Sequence, residues 1–154
     1  MTTKTPATKS ATCFTLALQS CNNKTYTIHG LWPRLTRETK PKPLCQLDAL
    51  SIKALWKDLD RYHKDCFGNN VKFLEHQWCK HGIFAFETPM QYFQLSLKAY
   101  HFVLKKVGNR INKFAVTGTT KHGKTYTNYK IPLFYDLQRS TFNIATCDGS
   151  LIKF

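Results

Sequence analysis

Acidic side chains are scarce in this chain. Its 154 residues carry nine Asp and Glu against 23 Lys and Arg, a formal net charge of +14 at pH 7. The acids are scattered, and the closest pair, Asp58 and Asp60, falls on different helix faces. A two-metal nuclease needs clustered carboxylates, so that class is excluded. Cysteines at zinc-ligand spacing are missing too: there is no C-x-x-C, and Cys79-x-His81 and His63-x-x-Cys66 are poor substitutes. A cysteine hydrolase built on Cys79 and His81 fails because residues two apart on a helix point to different sides. No apolar run is long enough to span a membrane. The opening residues, MTTKTPATKSAT, lack the apolar core of a signal peptide. There is no internal repeat and no domain linker.

What is present points to a single folded domain of monomeric type, with a frayed end over residues 1–12. Aromatic content is high, at 14%, which argues against disorder. The basic excess favours a polyanionic partner through attraction and counterion release. Six cysteines (13, 21, 45, 66, 79 and 147), an even number in a small chain, favour disulfides and an oxidising compartment. With the sequon Asn23-Lys24-Thr25 they suggest a secreted protein or one of the endomembrane or vacuolar lumen.

The elements read as α+β, with helices first and sheet strands at both ends. Alternating Phe14, Leu16 and Leu18 predict a strand. A turn at 22–24 leads to a second strand over 26–31, then a proline-containing loop over 34–46. Asp48 caps a helix with Ile52, Leu55, Trp56, Leu59 and Tyr62 on one face, ending near Lys64. Gly68-Asn69-Asn70 breaks the chain and caps the next helix. Thr88-Pro89-Met90-Gln91 opens a third, with Phe93, Leu97, Tyr100, Leu104 and Val107 along one face and Gly108 at its end. Strands follow at 113–118 and 141–147, with a basic, Tyr-containing loop over 121–130 between them and a turn at Asp148-Gly149 returning to Leu151 and Ile152.

The chain is organised around residues 71–82, VKFLEHQWCKHG. At roughly 100° per residue, Phe73, Leu74 and Trp78 define an apolar sector. Gln77 and His81 fall inside that sector, and His76 and Lys80 beside it. Burying such groups unpaired costs a few kcal/mol, so each must find a partner or the sector must face a cleft. Cys79 lies on the opposite face. A second segment, TIHGLWP over 27–33, supplies another histidine, His29, and Trp32.

The segments IHGLWP and EHQWCKHG, in that order and roughly fifty residues apart, resemble the two active-site segments of the ribonuclease T2 family. The resemblance covers about residues 13–107. It implies a central, mostly antiparallel sheet packed with helices. It also implies a metal-independent endoribonuclease with no cofactor, which cleaves single-stranded RNA to 2′,3′-cyclic phosphate ends. Such chemistry needs a base for the 2′-OH, an acid for the leaving 5′-oxygen and donors for the phosphorane. Two imidazoles can do both proton transfers. By resemblance His81 is the base and His29 the acid, His76 and Lys80 hold phosphate, and Trp32 lies near the base-binding pocket. His63, His101 and His122 match nothing in the family pattern and are structural or surface residues.

Departures from the family matter as much. Gln77 stands where a glutamate is usual, although some plant self-incompatibility ribonucleases are similar in carrying Gln there. Gln can hydrogen-bond but cannot hold a proton or a charge, so its catalytic contribution is narrower. The family's opening strand, upstream of the first cysteine, is not recognisable. The resemblance implies a Cys13–Cys21 bridge, while Cys45 and Cys147 lack their usual mates. Cys45, Cys66, Cys79 and Cys147 allow three pairings. The alternative function is a catalytically weakened or inactive relative that binds RNA or another polyanion.

Overall fold

In this computed structural model the described residues are 12–21, 25–34, 44–66, 68–121 and 123–154. The expected frayed terminus, the turn at 22–24 with the sequon's Asn23, and most of the loop at 34–46 lie outside them.

Period-two burial builds the sheet. In strand β1 (Cys13–Ser20), Phe14, Leu16 and Leu18 point into the core. In β2 (Thr27–Pro33), Ile28 and Leu31 do so. In β4 (Lys124–Asp136), Tyr129, Ile131, Leu133 and Tyr135 alternate inward. With β3 (Ala115–Lys121) and β5 (Thr141–Ile144) these strands form one antiparallel sheet of order β2-β1-β4-β3, and β5 shares the outer edge of β4 with β3. The basic stretch at 121–130 is therefore not a loop. It is the β3–β4 hairpin, in which Lys121 pairs with Lys124 and Gly123 takes φ +75°. Only its last residues carry the alternation of a buried face, with Tyr129 buried and Lys130 exposed, so the hairpin does not show as a strand pattern in sequence. The strand expected at 113–118 begins only at Ala115, because a 3₁₀ segment, Gly108–Phe114, precedes it.

Helices cover the core-facing side of the sheet. Asp48 accepts from the Leu50 amide and opens a 3₁₀ segment, Ala49–Leu55, which runs into α1 (Trp56–Tyr62). The break from one continuous helix falls at Ile52, whose φ/ψ of −119°/19° is not helical. Asn69 caps α2 (Asn70–Lys80) by accepting from the Lys72 amide at 3.1 Å. Thr88 and Gln91 form the expected capping box at α3 (Pro89–Val107), and Gly108, at φ +57°, ends it. Among the described residues no helix is long and apolar enough to cross a membrane.

As an edge strand, β2 presents carbonyls that β1 does not use. Helix-side groups cover two of them, His63 Nε2 donating to His29 O at 3.1 Å and Tyr92 Oη to Leu31 O at 2.9 Å, and Tyr100 Oη donates to the carbonyl of Tyr26, just before the strand, at 2.7 Å.

The disulfides are Cys13–Cys147, Cys21–Cys66 and Cys45–Cys79, with Cα separations of 5.4, 5.5 and 5.8 Å. The implied Cys13–Cys21 pairing is thus overturned. These cysteines flank an extended strand and sit roughly 25 Å apart along it, far beyond disulfide reach. Cys147 and Cys45 have mates after all.

Candidate active site

Local backbone irregularities aim the site residues. In the β1–β2 ladder Ala17 faces Gly30 but Leu18 faces Ile28, which leaves His29 as an extra residue, a β-bulge. The bulge lets Ile28 and Leu31, three apart, both reach the core and turns His29 to the opposite side. Across from it, His81 caps the end of α2 with φ/ψ of −122°/−57°, its amide donating to Gln77 O at 3.0 Å. It also precedes a 3₁₀ turn, Gly82–Phe84. His81 therefore leaves the helical track that the 71–82 pattern predicts and swings toward β2.

The two segments meet at the Trp32 indole. His81 stacks on it with centroids 5.0 Å apart and planes 21° apart. His29 meets it edge-on at 5.3 Å and lies against Phe73 at 5.7 Å. Trp32 Nε1 donates to Gln77 Oε1 at 2.9 Å, so the buried amide at 77 has its partner and the polar sector faces the strand that completes the site. Both His-Gly dipeptides need their glycine for lack of space. A Cβ on Gly30 would collide with Gln77 Oε1 and Trp32 Nε1, and one on Gly82 would lie 2.6 Å from Tyr92 Cδ2 and 2.7 Å from Trp78 Cε3.

Electrostatics tie in the remaining residues. Burial, then Lys80, His76 and His29, push His81 down to about 3. Burial, then His76 and Lys130, also lower His29, against an opposing pull from Asp65. His76 is exposed and Lys80 half-buried; His76 acts on both imidazoles and Lys80 on His81 as neighbouring positive charge. His29, Trp32, Gln77 and His81 are thus in direct contact, and His76 and Lys80 stand near enough to act on the imidazoles through charge. Trp32, however, already holds His81 on its ring, and the Lys130 Nζ lies over that ring at 5.7 Å from the centroid.

Three contributors escape sequence reasoning. His63 is fully buried between Phe73 and Phe93 and holds the His29 carbonyl; burial pushes it down to about 3. Because its Nε2 donates, its Nδ1 is the bare nitrogen, and that atom has no partner among the described residues. Asp65 and Lys130 come from the turn before α2 and from β4. No local spacing links any of the three to the motifs. Among the described residues no three His, Cys, Asp or Glu side chains gather as a metal site.

The ribonuclease T2 family model matches residues 4–148, well past the 13–107 carried by the motifs. Ribonuclease T2-A of Mus musculus is 33% identical over 96 residues, 54% of this chain and 36% of that protein. Ribonuclease Oy of Magallana gigas is 31% identical over 84 residues, 47% of this chain and 39% of that protein. These matches span little more than a third of the relatives' length. Among solved structures, RNase NT in complex with 5′-AMP superimposes with a TM-score of 0.61 at 17% identity, over 87% of this chain and 90% of that one. Trichomaglin, an S-like ribonuclease, gives 0.50 at 18%, over 83% and 88%. At such identities the likeness shows the fold, an α+β fold with a mostly antiparallel sheet. By the family match over nearly its whole length, this chain belongs to the ribonuclease T2 family.

Proposed function

We propose that this protein is a metal-independent endoribonuclease that cleaves single-stranded RNA by transphosphorylation. The observation that carries the reading is the meeting of His29 and His81 on one indole, at 5.3 and 5.0 Å from Trp32. His81, held neutral by burial and neighbouring cations, takes the proton of the ribose 2′-OH. The 2′-oxygen then bonds to phosphorus, the P–O5′ bond breaks, and His29 gives its proton to the departing 5′-oxygen. The products are a 2′,3′-cyclic phosphate and a free 5′-OH. In the hydrolysis that follows the roles exchange: His29 takes a proton from water, and His81 returns one to the 2′-oxygen. His76 and Lys80 hold the phosphate and offset charge on the phosphorane. Gln77 fixes Trp32, and Trp32 in turn fixes both imidazoles.

Since His29 must be protonated and its pKa lies below 6.5, cleavage favours mildly acidic pH. Bound phosphate raises both imidazoles, because negative charge favours their protonated forms. Three disulfides fit a protein of a secreted or luminal compartment.

The test is RNA cleavage in excess EDTA between pH 4 and 7, wild type beside His81→Ala. Cleavage with cyclic-phosphate ends, reduced about 10²- to 10⁴-fold in the variant, is the expected result. Binding of uncleavable RNA without cleavage by the wild type would replace this reading with that of a polyanion-binding relative, and Gln77 would be the leading cause.

A further inference from the structure

The bulge that turns His29 toward the site leaves that residue without an opposite number in β1. Its carbonyl accepts from His63 Nε2 at 3.1 Å. The His63 ring makes no other hydrogen bond among the described residues, since its Nδ1 has no partner. It is wholly buried and lies 5.6 Å from both Phe73 and Phe93, steeply inclined to each. A phenylalanine would fill such a slot without burying two ring nitrogens, one of them unpaired. What the imidazole adds is the one bond it makes, to the backbone of His29.

The donor is rigidly mounted. Four consecutive residues are each tied to a neighbouring element. The His63 amide donates to Leu59 O in α1 at 2.9 Å, Gln19 Nε2 in β1 to Lys64 O at 2.9 Å, and the Asp65 amide to Asn70 Oδ1 in α2 at 2.9 Å. Cys66 is joined to Cys21, just past the end of β1, by a disulfide. So held, His63 fixes where the bulge sits, and the bulge fixes where His29 points. Phe73 lies against both rings, at 5.7 Å from His29 and 5.6 Å from His63. His81 is held by other means, the Trp32 ring and the end of α2. We infer that His63 is a positioning residue for His29, holding the bulge so that the His29 ring meets the leaving 5′-oxygen. This rests on the proposed reaction, in which His29 is the acid. His63 touches no reacting atom, and its effect falls on the proton given to the leaving group. A misplacement of about 1 Å at such a step can cost on the order of 10²-fold in rate.

The test compares two leaving groups behind the same upstream nucleoside. A dinucleoside monophosphate releases a 5′-alkoxide, which needs a proton. A nucleoside 3′-(4-nitrophenyl phosphate) releases a phenolate that departs without one. His63→Phe fills the slot and removes the donor, whereas His63→Gln brings an amide N–H to the place of Nε2. His63→Phe is expected to lower kcat on the dinucleotide roughly 10- to 100-fold, with KM little changed. Nitrophenolate release should fall far less, and His63→Gln should recover most of the loss. Equal losses on the two substrates, no loss on either, or a glutamine no better than phenylalanine overturns the assignment. The ring titration of His29, followed by nuclear magnetic resonance, separates this failure from failure of the reaction scheme. Burial is the first cause of the lowered His29 pKa, ahead of His76, Asp65 and Lys130, and His63→Phe removes none of those charges. Release of the bulge exposes the ring, so its pKa should rise toward 6.5 while that of His81 stays low. That shift is expected even of a protein that cleaves nothing. An unmoved His29, or an equal rise at His81, rejects the positioning role.

Discussion

Gln77 shows how one atom at one position sets the site. Its Oε1 holds the Trp32 indole, on which both imidazoles lean. Glutamate there would keep an acceptor for the indole and add a negative charge. His81 stands at about 3 because burial and the positive charge of Lys80, His76 and His29 all disfavour its protonated form, and among the described residues Asp65, which pulls on His29, does not oppose them at His81. A carboxylate at 77 opposes them, so the pKa of His81 rises. As the base of the proposed reaction, His81 must be deprotonated, so the acidic limb of the kcat/KM profile should move upward in Gln77→Glu, toward neutral pH. A pH–rate series on both proteins checks this, and an unmoved limb would show that the glutamine is a spacer whose charge state is irrelevant.

At the scale of elements, the motif-bearing helix is tied down from outside. Cys45–Cys79 joins α2 to the segment before α1, and the Leu47 amide donates to Glu75 Oε2 at 2.9 Å. Closing a loop with 34 residues of separation stabilises by about 3–4 kcal/mol on the chain-entropy model. Replacing both cysteines by serine should lower the unfolding free energy by that order, measured by urea denaturation, with a smaller loss if the unfolded chain stays compact. What sequence could reveal divides along the same line. Helices α2 and α3 were legible because their caps and periodicity are local: Asn69, Thr88, Gln91 and Gly108 each act within a turn. Strand β4 was not, because its core face (Tyr129, Ile131, Leu133) is interleaved with Lys and Asn and only the completed sheet shows which face is buried. The bulge at His29 leaves a faint trace, Ile28 and Leu31 spaced three apart. The pairing of Cys13 with Cys147, 134 residues away, and the roles of His63, Asp65 and Lys130 belong to the assembled structure and have no local signature.

For the molecule as a whole, charge and pH pull against each other. The chain carries +14, and the ion pair seen among the described residues, Arg139 with Asp136 at 3.9 Å, lies at the surface and offsets little of it. His29, His63 and His81 are all lowered from 6.5. An unfolded chain takes up protons on these groups as pH falls below about 6.5, while the folded chain holds them off. Their contribution to stability is therefore whole above that pH and is lost progressively toward pH 3, where His63 and His81 titrate in the folded state. Each such histidine adds a slope of up to about 1.4 kcal/mol per pH unit within that window. In the proposed reaction His29 is protonated, which places the proposed activity where the fold is weaker. A polyanion changes the balance. It neutralises the cluster around His76 and Lys80, raises His29 and His81 in the folded state, and stabilises by mass action. Thermal unfolding from pH 7 to pH 4, with and without an uncleavable deoxyoligonucleotide, measures both effects. Stability should fall on acidification, less steeply in His63→Phe. The stabilisation by the oligonucleotide should grow toward low pH and shrink with added salt. A pH-independent melting temperature would mean that the buried histidines are compensated elsewhere in the fold. An oligonucleotide effect blind to salt would remove charge as the basis of binding.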